Sequence, residues 1–64
     1  MIEEYPDFVT LMPTFNPQRF CVAHMRYLKV EDGYIIRHCS PALPELAAKA
    51  LAAQWAGVNK IEVR

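Results

Sequence analysis

The stretch SPALPELAAKALAAQWAG, from Ser40 to Gly57, decides the fold because it carries both a start signal and a stop signal for one long helix. Ser40 is suited to cap the helix N-terminus, and Pro41 or Pro44 fits the first turn, where a missing N–H costs least. Gly57 is the expected C-terminal stop. We therefore expect a helix over 41–57, with the rest of the chain packed against it.

The two sides of this helix are expected to differ in environment. At about 100° per residue the leucines share one stripe, which we predict to face the core. The stripe consists of Leu43, Leu46, Ala47, Ala50, Leu51 and Val58. Gln54 lies on the same stripe and would need a hydrogen-bonding partner if buried.

The outer side of the helix is a candidate interface. Beside an i,i+4 pair of Glu45 and Lys49, it is made of small residues: Ala48, Ala52, Ala53 and Ala56. Small residues let another backbone approach closely, and Trp55 at the edge could anchor a partner. The alternative is that alanine is simply the best helix former and is tolerated in water.

A β-hairpin is predicted before the helix. Residues 19–30, RFCVAHMRYLKV, are rich in β-branched and aromatic types, and residues 34–39, YIIRHC, return after a Glu-Asp-Gly turn. We expect Gly33 to supply the positive φ that the turn needs.

The register of this hairpin stays open. A two-residue loop pairs Val30 with Ile35, whereas a three-residue loop pairs Val30 with Tyr34. The choice matters, because a one-residue slip exchanges the faces of one strand relative to the other.

The C-terminal segment predicts a further strand. Residues 59–64, NKIEVR, alternate, so Ile61 and Val63 should point one way in a half-buried strand. After the helix, this strand is most easily placed beside one of the hairpin strands.

An extended arm, residues 1–18, precedes the hairpin, because its three prolines forbid a continuous helix. Residues 8–12 could form a short edge strand within it. We expect the arm to lie across the domain and complete the core; the alternative is a partner-binding arm that orders on contact. Its apolar residues are Ile2, Tyr5, Phe8, Val9, Leu11, Met12 and Phe15.

Together these elements predict an α+β fold of ββαβ type. A three-stranded, mainly antiparallel sheet would pack on one helix, in a single domain over 1–64 with an extended N-terminal arm. Its parts are the arm (1–18), the β-hairpin (19–39), the helix (41–57) and the strand (59–64).

The amino-acid composition and charge of the chain argue against several classes of protein. The chain has zero net charge, which argues against a protein whose main task is to neutralise phosphates. Two cysteines are too few for a typical disulfide-stapled secreted domain, and the acidic N-terminus does not read as a signal peptide. No apolar run of about 18 residues predicts a membrane span. We expect a cytoplasmic protein with reduced thiols.

The clearest candidates for chemistry are Cys21, His24, His38 and Cys39, whose sulfur and nitrogen atoms suit zinc. Strand alternation separates neighbours onto opposite faces, so four ligands would not converge without a bulge. The expected pairing also offsets Cys21 from Cys39, against a disulfide. Because no nucleophile, base and orienting group are grouped, we expect neither enzyme activity nor a bound cofactor.

A basic, aromatic hairpin face is a second candidate surface. Arginine and lysine alternate there with rings that could stack on bases: Arg19, Phe20, Arg26, Tyr27, Lys29, Tyr34 and Arg37. The alternative is a solvated sheet face. Across both surfaces, the residues that we predict to bind a partner are Arg26, Tyr27, Lys29, Tyr34, Arg37, Ala48, Ala52 and Trp55.

The hairpin turn VEDGY, the helix entry HCSPALPE, the helix AAKALAAQWAG and the strand NKIEVR resemble small phage-encoded anti-CRISPR proteins. The resemblance covers roughly residues 30–63 and is one of architecture and composition. It implies a non-enzymatic inhibitor that binds a subunit of an RNA-guided surveillance complex in the host cytoplasm. Many such inhibitors are acidic, whereas this chain is neutral. The alternatives are a nucleic-acid-binding module and a homodimeric structural protein.

Overall fold

A computed structural model describes residues 6–64. The elements are β1 (Phe8–Pro13), β2 (Arg19–Leu28), β3 (Gly33–Cys39), β4 (Leu43–Pro44), α1 (Glu45–Asn59) and β5 (Glu62–Val63). The strands form one mixed sheet in the order β3-β2-β1-β5, and β4 also pairs with β2. The predicted α+β class with a single helix is confirmed, but the sheet has five strands rather than three.

The hairpin of β2 and β3 uses a longer connection than either predicted loop. Tyr27 pairs with Tyr34 and Leu28 with Gly33, so both predicted registers are wrong. The positive φ, 51°, belongs to Asp32 and not to Gly33. Asp32 tolerates this conformation because aspartate visits the left-handed region more readily than most residues, and its carboxylate accepts a 2.6 Å hydrogen bond from the Tyr27 hydroxyl.

A β-bulge interrupts the hairpin in the middle of β3. His24 pairs with His38, but Met25 pairs with Ile36, which leaves Arg37 as the extra residue. A bulge reverses the alternation of the strand beyond it. Ile36 consequently lies on the same face of the sheet as Cys39, three residues away.

The N-terminal arm becomes β1 and completes the core. β1 pairs antiparallel with β2 from Phe8↔Met25 to Pro13↔Phe20, and Val9 is fully buried. The expected role of the arm is thus confirmed, although Phe8 and Val9 also pair with β5, so β1 is not an edge strand there. Phe15 is fully exposed and adds nothing to the core. The predicted apolar residues Ile2 and Tyr5 lie outside the described residues.

Helix α1 begins and ends later than predicted. Pro44 occupies the N-cap position, and no side chain caps the helix. Ser40 instead continues the β2–β3 ladder: its N–H donates to the Val22 carbonyl and its Oγ accepts from the Val22 N–H, both at 2.8 Å. The helix passes through Gly57 and ends at Lys60, whose φ of 57° is left-handed.

The buried side of α1 differs from the predicted one, although Leu43 and Leu51 of the predicted stripe do pack against the core. Ala48, Ala52 and Ala56 are buried against the sheet, whereas Leu46 is 82% exposed and Val58 75%. Both sides are rich in alanine, so hydrophobic periodicity discriminates between them poorly. The alanines face the sheet because their small side chains let the helix lie close to it. Gln54 is exposed and needs no buried partner, and Glu45 and Lys49 form the predicted pair at 3.1 Å.

Strand β5 was expected to lie beside a hairpin strand, but it pairs in parallel with β1. Phe8 pairs with Glu62 and Val9 with Val63. The reason is that β1 lies on one side of β2, while β3 and β4 share the other side. Ile61 is half-buried against the core, but Val63 is 48% exposed, so the two do not share an environment.

Candidate functional site: the open face of the sheet

Helix α1 covers only one face of the sheet. Val9 and Val22 point toward it and form the buried core with the helix alanines. Because side chains alternate along a strand, their neighbours point to the opposite side, which we call the open face. It consists of Phe8, Thr10, Met12, Cys21, Ala23, Met25, Tyr27, Tyr34, Ile36 and Cys39, with Glu62 and Arg64 at one edge.

An aromatic cluster occupies one end of the open face. The ring centroids of Phe8 and Tyr34 lie 5.0 Å apart, and those of Tyr27 and Tyr34 lie 5.5 Å apart. Both pairs are edge-to-face, with interplanar angles of 64° and 68°. This arrangement places the positive edge of one ring against the negative face of the next. The three rings stiffen each other and present a continuous aromatic surface.

A charged rim borders this cluster on the β5 side. The Arg64 guanidinium carbon lies 4.8 Å from the centre of the Phe8 ring, a cation–π geometry. Arg64 Nε also donates to Glu62 Oε1 at 2.8 Å, and this hydrogen bond raises the pKa of Arg64. An apolar, aromatic centre with a charged rim has the anatomy of a protein–protein interface.

Sulfur-bearing residues occupy the other part of the open face. All four of those within residues 6–64 lie there: Met12, Cys21, Met25 and Cys39. Both thiols are free. Partial desolvation raises the pKa of the Cys39 thiol, and the neighbouring Cys21 thiol raises it further. The Cys39 thiol also donates to the Ser40 carbonyl at 3.4 Å.

The open face has no second layer over it among the described residues. Ile36 is 47% exposed, whereas most of the larger side chains are half-buried by lying against each other. Ala23, between Cys21 and Met25, is fully buried beneath them. A two-layer domain normally buries the apolar side of every sheet against another element. This face therefore has the composition of a buried surface, yet nothing within residues 6–64 covers it.

Only two of the predicted partner-binding residues meet on this face. Tyr27 and Tyr34 are paired there. Arg26 pairs with Ile35 and points to the opposite side of β2, Arg37 is the bulged residue, and Lys29 lies in the turn. The predicted basic, aromatic surface is therefore not assembled.

The predicted helix interface is wrong in its residues. Ala48 and Ala52 are buried against the sheet, at 0% and 1% exposure, so neither can touch a partner. Trp55 is half-buried and packs against the core. Sequence reasoning missed Phe8, Met12, Met25, Ile36 and Arg64 as surface residues. The signal that could have found two of these is the period-two spacing of Phe8, Thr10 and Met12.

The four predicted zinc ligands are divided between the two faces. His24 and His38 point toward the helix side with ring centroids 6.2 Å apart, whereas Cys21 and Cys39 lie on the open face. Within residues 6–64, no three His, Cys, Asp or Glu side chains are grouped to hold a metal. His24 is buried, and its Nε2 contacts Asp7 Oδ2 at 3.0 Å.

A shallow groove of about 420 Å³ lies beside the two histidines. It is lined by His24, His38, Cys39, Trp55 and Asn59. A nucleophilic cysteine needs a lowered pKa, whereas the pKa of Cys39 is raised. Cys39 therefore lines the groove from the sheet edge, beside the imidazoles, and its thiol is not activated.

Comparisons with protein-family models, with curated proteins and with solved structures find no significant match to this chain. Within residues 6–64, no helix has the length and apolar character that crossing a bilayer requires.

Proposed function

We propose that this protein is a non-enzymatic protein-binding module that uses the open face of its sheet. The observation that carries the proposal is the uncovered cluster of Phe8, Tyr27 and Tyr34, bordered by Arg64. Aromatic residues, methionine and arginine are the residue types enriched at protein interfaces, and tyrosine and arginine recur among those that dominate binding energy. The rings are already packed against each other, so little side-chain entropy is lost when a partner binds.

A protein partner suits this face better than a nucleic acid does. Phosphate binding requires several cations on the binding surface, but Arg26 points away from the open face and the chain has zero net charge. Arg64 is committed to Glu62 and to the Phe8 ring. The open face offers apolar area and stacked rings instead, which match an apolar patch on another protein.

A subunit of an RNA-guided surveillance complex is the first partner to test. This choice rests on the resemblance to small anti-CRISPR proteins in the hairpin, the helix and the last strand. On this proposal the protein is a phage or mobile-element inhibitor that blocks its target by steric contact in the host cytoplasm. Reconstitution tests it: added protein should lower target-DNA binding by a purified surveillance complex, and a variant with a charged open face should not.

The general proposal is tested by affinity capture with two matched variants. Ile36→Lys places a charge on the open face, and Leu46→Lys places the same charge on the exposed side of α1. A partner bound by the open face should be captured by the native protein and by Leu46→Lys, but not by Ile36→Lys. Capture should survive nuclease treatment and raised salt, since direct phosphate contacts weaken steeply with salt.

Each other outcome of this experiment identifies a different surface or partner. Equal capture by the two variants would show that the open face is not the interface. Loss of capture after nuclease treatment would identify a nucleic acid as the ligand. If the native protein sediments as a dimer and Ile36→Lys sediments as a monomer, the occupant of the open face is a second copy of the chain.

A further inference from the structure

Three of the sulfur-bearing residues of the open face are neighbours in the register of β1, β2 and β3. Met12 on β1 lies directly opposite Cys21 on β2, and Cys39 on β3 lies opposite Ala23, two residues further along β2. Period-two alternation puts all three side chains on the same side of three adjacent strands. The protein-binding proposal concerns the same face, but it is carried by the aromatic cluster and not by this group.

The register argues against a disulfide between the two cysteines. They are diagonal neighbours, and such pairs lie about 7–8 Å apart, whereas disulfides usually need Cα atoms within about 6.8 Å. The two thiols are nevertheless near enough for Cys21 to raise the pKa of Cys39. With metal–sulfur bonds of about 2.3 Å, as for zinc thiolates, one ion can link sulfur atoms that are too distant for a covalent bond.

The donor set selects the class of ion. Thiolate and thioether sulfur favour soft cations such as Cu(I), while carboxylates and imidazoles favour harder or borderline ions. The register neighbours of the group are Thr10 and Ala23. The two histidines point to the other face and meet only Cys39, in the groove at the sheet edge. A site with two thiolates and one thioether, and with no imidazole or carboxylate from these strands, suits a soft d¹⁰ ion of low coordination number.

We propose that Met12, Cys21 and Cys39 form a binding site for a soft monovalent metal ion of the Cu(I) class on the open face. Cys21 and Cys39 would bind as thiolates, and their protons would be released to solvent. Met12 would supply a neutral third ligand through its thioether. No electron is transferred, so binding requires no oxidant or reductant. Cys39 is exposed at the sheet edge, which gives the ion a route to the site.

Competition with a chromogenic Cu(I) chelator, bathocuproine disulfonate, tests the site in the full-length reduced protein without oxygen. One Cu(I) per chain is expected, with only sulfur ligands in X-ray absorption spectra. Cys21→Ser and Cys39→Ser should each lower the affinity by more than about 100-fold, beyond the range of about 10- to 100-fold typical of outer-shell partners. Met12→Leu should lower it by about tenfold.

Met25→Leu is the matched control: Met25 is a diagonal neighbour of Cys39, as Cys21 is, but it lies four residues along β2 from Cys21, about 13 Å away, which is too far for one ion to bind both. It should leave the affinity unchanged. Circular dichroism melts of the metal-free variants establish that each one folds, and the ligand spectrum of the native protein tests the site without any variant.

The proposal fails if the native protein binds Cu(I) no more tightly than Cys21→Ser does, if nitrogen ligands appear in the spectrum, or if a Cys21–Cys39 disulfide forms quantitatively in air. Equal effects of Met12→Leu and Met25→Leu would remove Met12 from the site. None of these measurements involves a protein partner. The metal-site proposal is therefore tested separately from the capture experiment with Ile36→Lys.

Discussion

The two faces of the sheet differ in what covers them. On the covered face, the largest fully buried side chains are those of Val9 and Val22, and the helix meets them with alanine. On the open face lie three aromatic rings and four sulfur-bearing residues. The covered face also carries large side chains, Leu11 and Phe20 among them, which pack partly buried around this core. The large side chains of the open face have no such cover among residues 6–64, which leaves them available for contacts outside the domain.

The largest loss of stability that would test this contrast is expected from a charge placed in the covered face. Ala52→Glu would bury a carboxylate among apolar atoms and overfill a tight contact, which should cost at least about 3 kcal/mol. Ala53→Glu, one position along the exposed side of α1, is the control and should cost little. Urea denaturation followed by circular dichroism measures both; equal stabilities would mean that α1 does not pack through its alanines.

A pair of truncations gives a smaller, matched comparison of the faces. Val22→Ala should cost about 2 kcal/mol, since it leaves a cavity that close packing cannot readily fill. Ile36→Ala removes more atoms but from a side chain that is 47% exposed, and it should cost less than Val22→Ala. The free energies of unfolding decide the comparison, and the reverse order would mean that the open face is covered in solution, for example by self-association.

The smallest effect concerns the aromatic cluster. A double-mutant cycle of Phe8→Leu and Tyr34→Leu should give a coupling energy of about 0.5–1.5 kcal/mol from the edge-to-face pair. The cycle of Phe8→Leu with Tyr27→Leu is the control: both rings contact Tyr34, but no direct contact is expected between them, so their coupling should be weaker. Thermal unfolding of the six proteins measures both terms, and a null first cycle would show that the rings are not packed in the free protein.

Much of the fold was predictable from local patterns. The helix, the hairpin and the C-terminal strand all exist, because alanine-rich, β-branched and alternating segments have intrinsic preferences. The arm was correctly expected to complete the core, since Val9 and its neighbours are too apolar to remain in water. The predicted ends of the helix were wrong, because Ser40 does not cap it and Gly57 does not end it. Ser40 instead hydrogen-bonds to Val22 in the sheet. The left-handed residue that ends the helix is Lys60.

The candidate site was mostly beyond local reasoning. Tyr27 and Tyr34 were found, but the bulge at Arg37 and the pairing of β1 with β2 bring Ile36, Met25 and Phe8 beside them. A single extra residue reverses the faces of a strand, and nothing in YIIRHC marks where it falls. The helix surface was misassigned for a related reason, since its two sides are almost equally apolar.

By itself, the sequence determined that a helix, a hairpin and a C-terminal strand form, that the chain is neutral and that the arm needs to be buried. These follow from backbone preferences and hydrophobic transfer, which act within a few residues. The tertiary structure alone decided which side of α1 faces inward, where β5 pairs, and which side chains share the open face. Those choices depend on the register between strands distant in sequence and on how closely a helix of alanines can approach them.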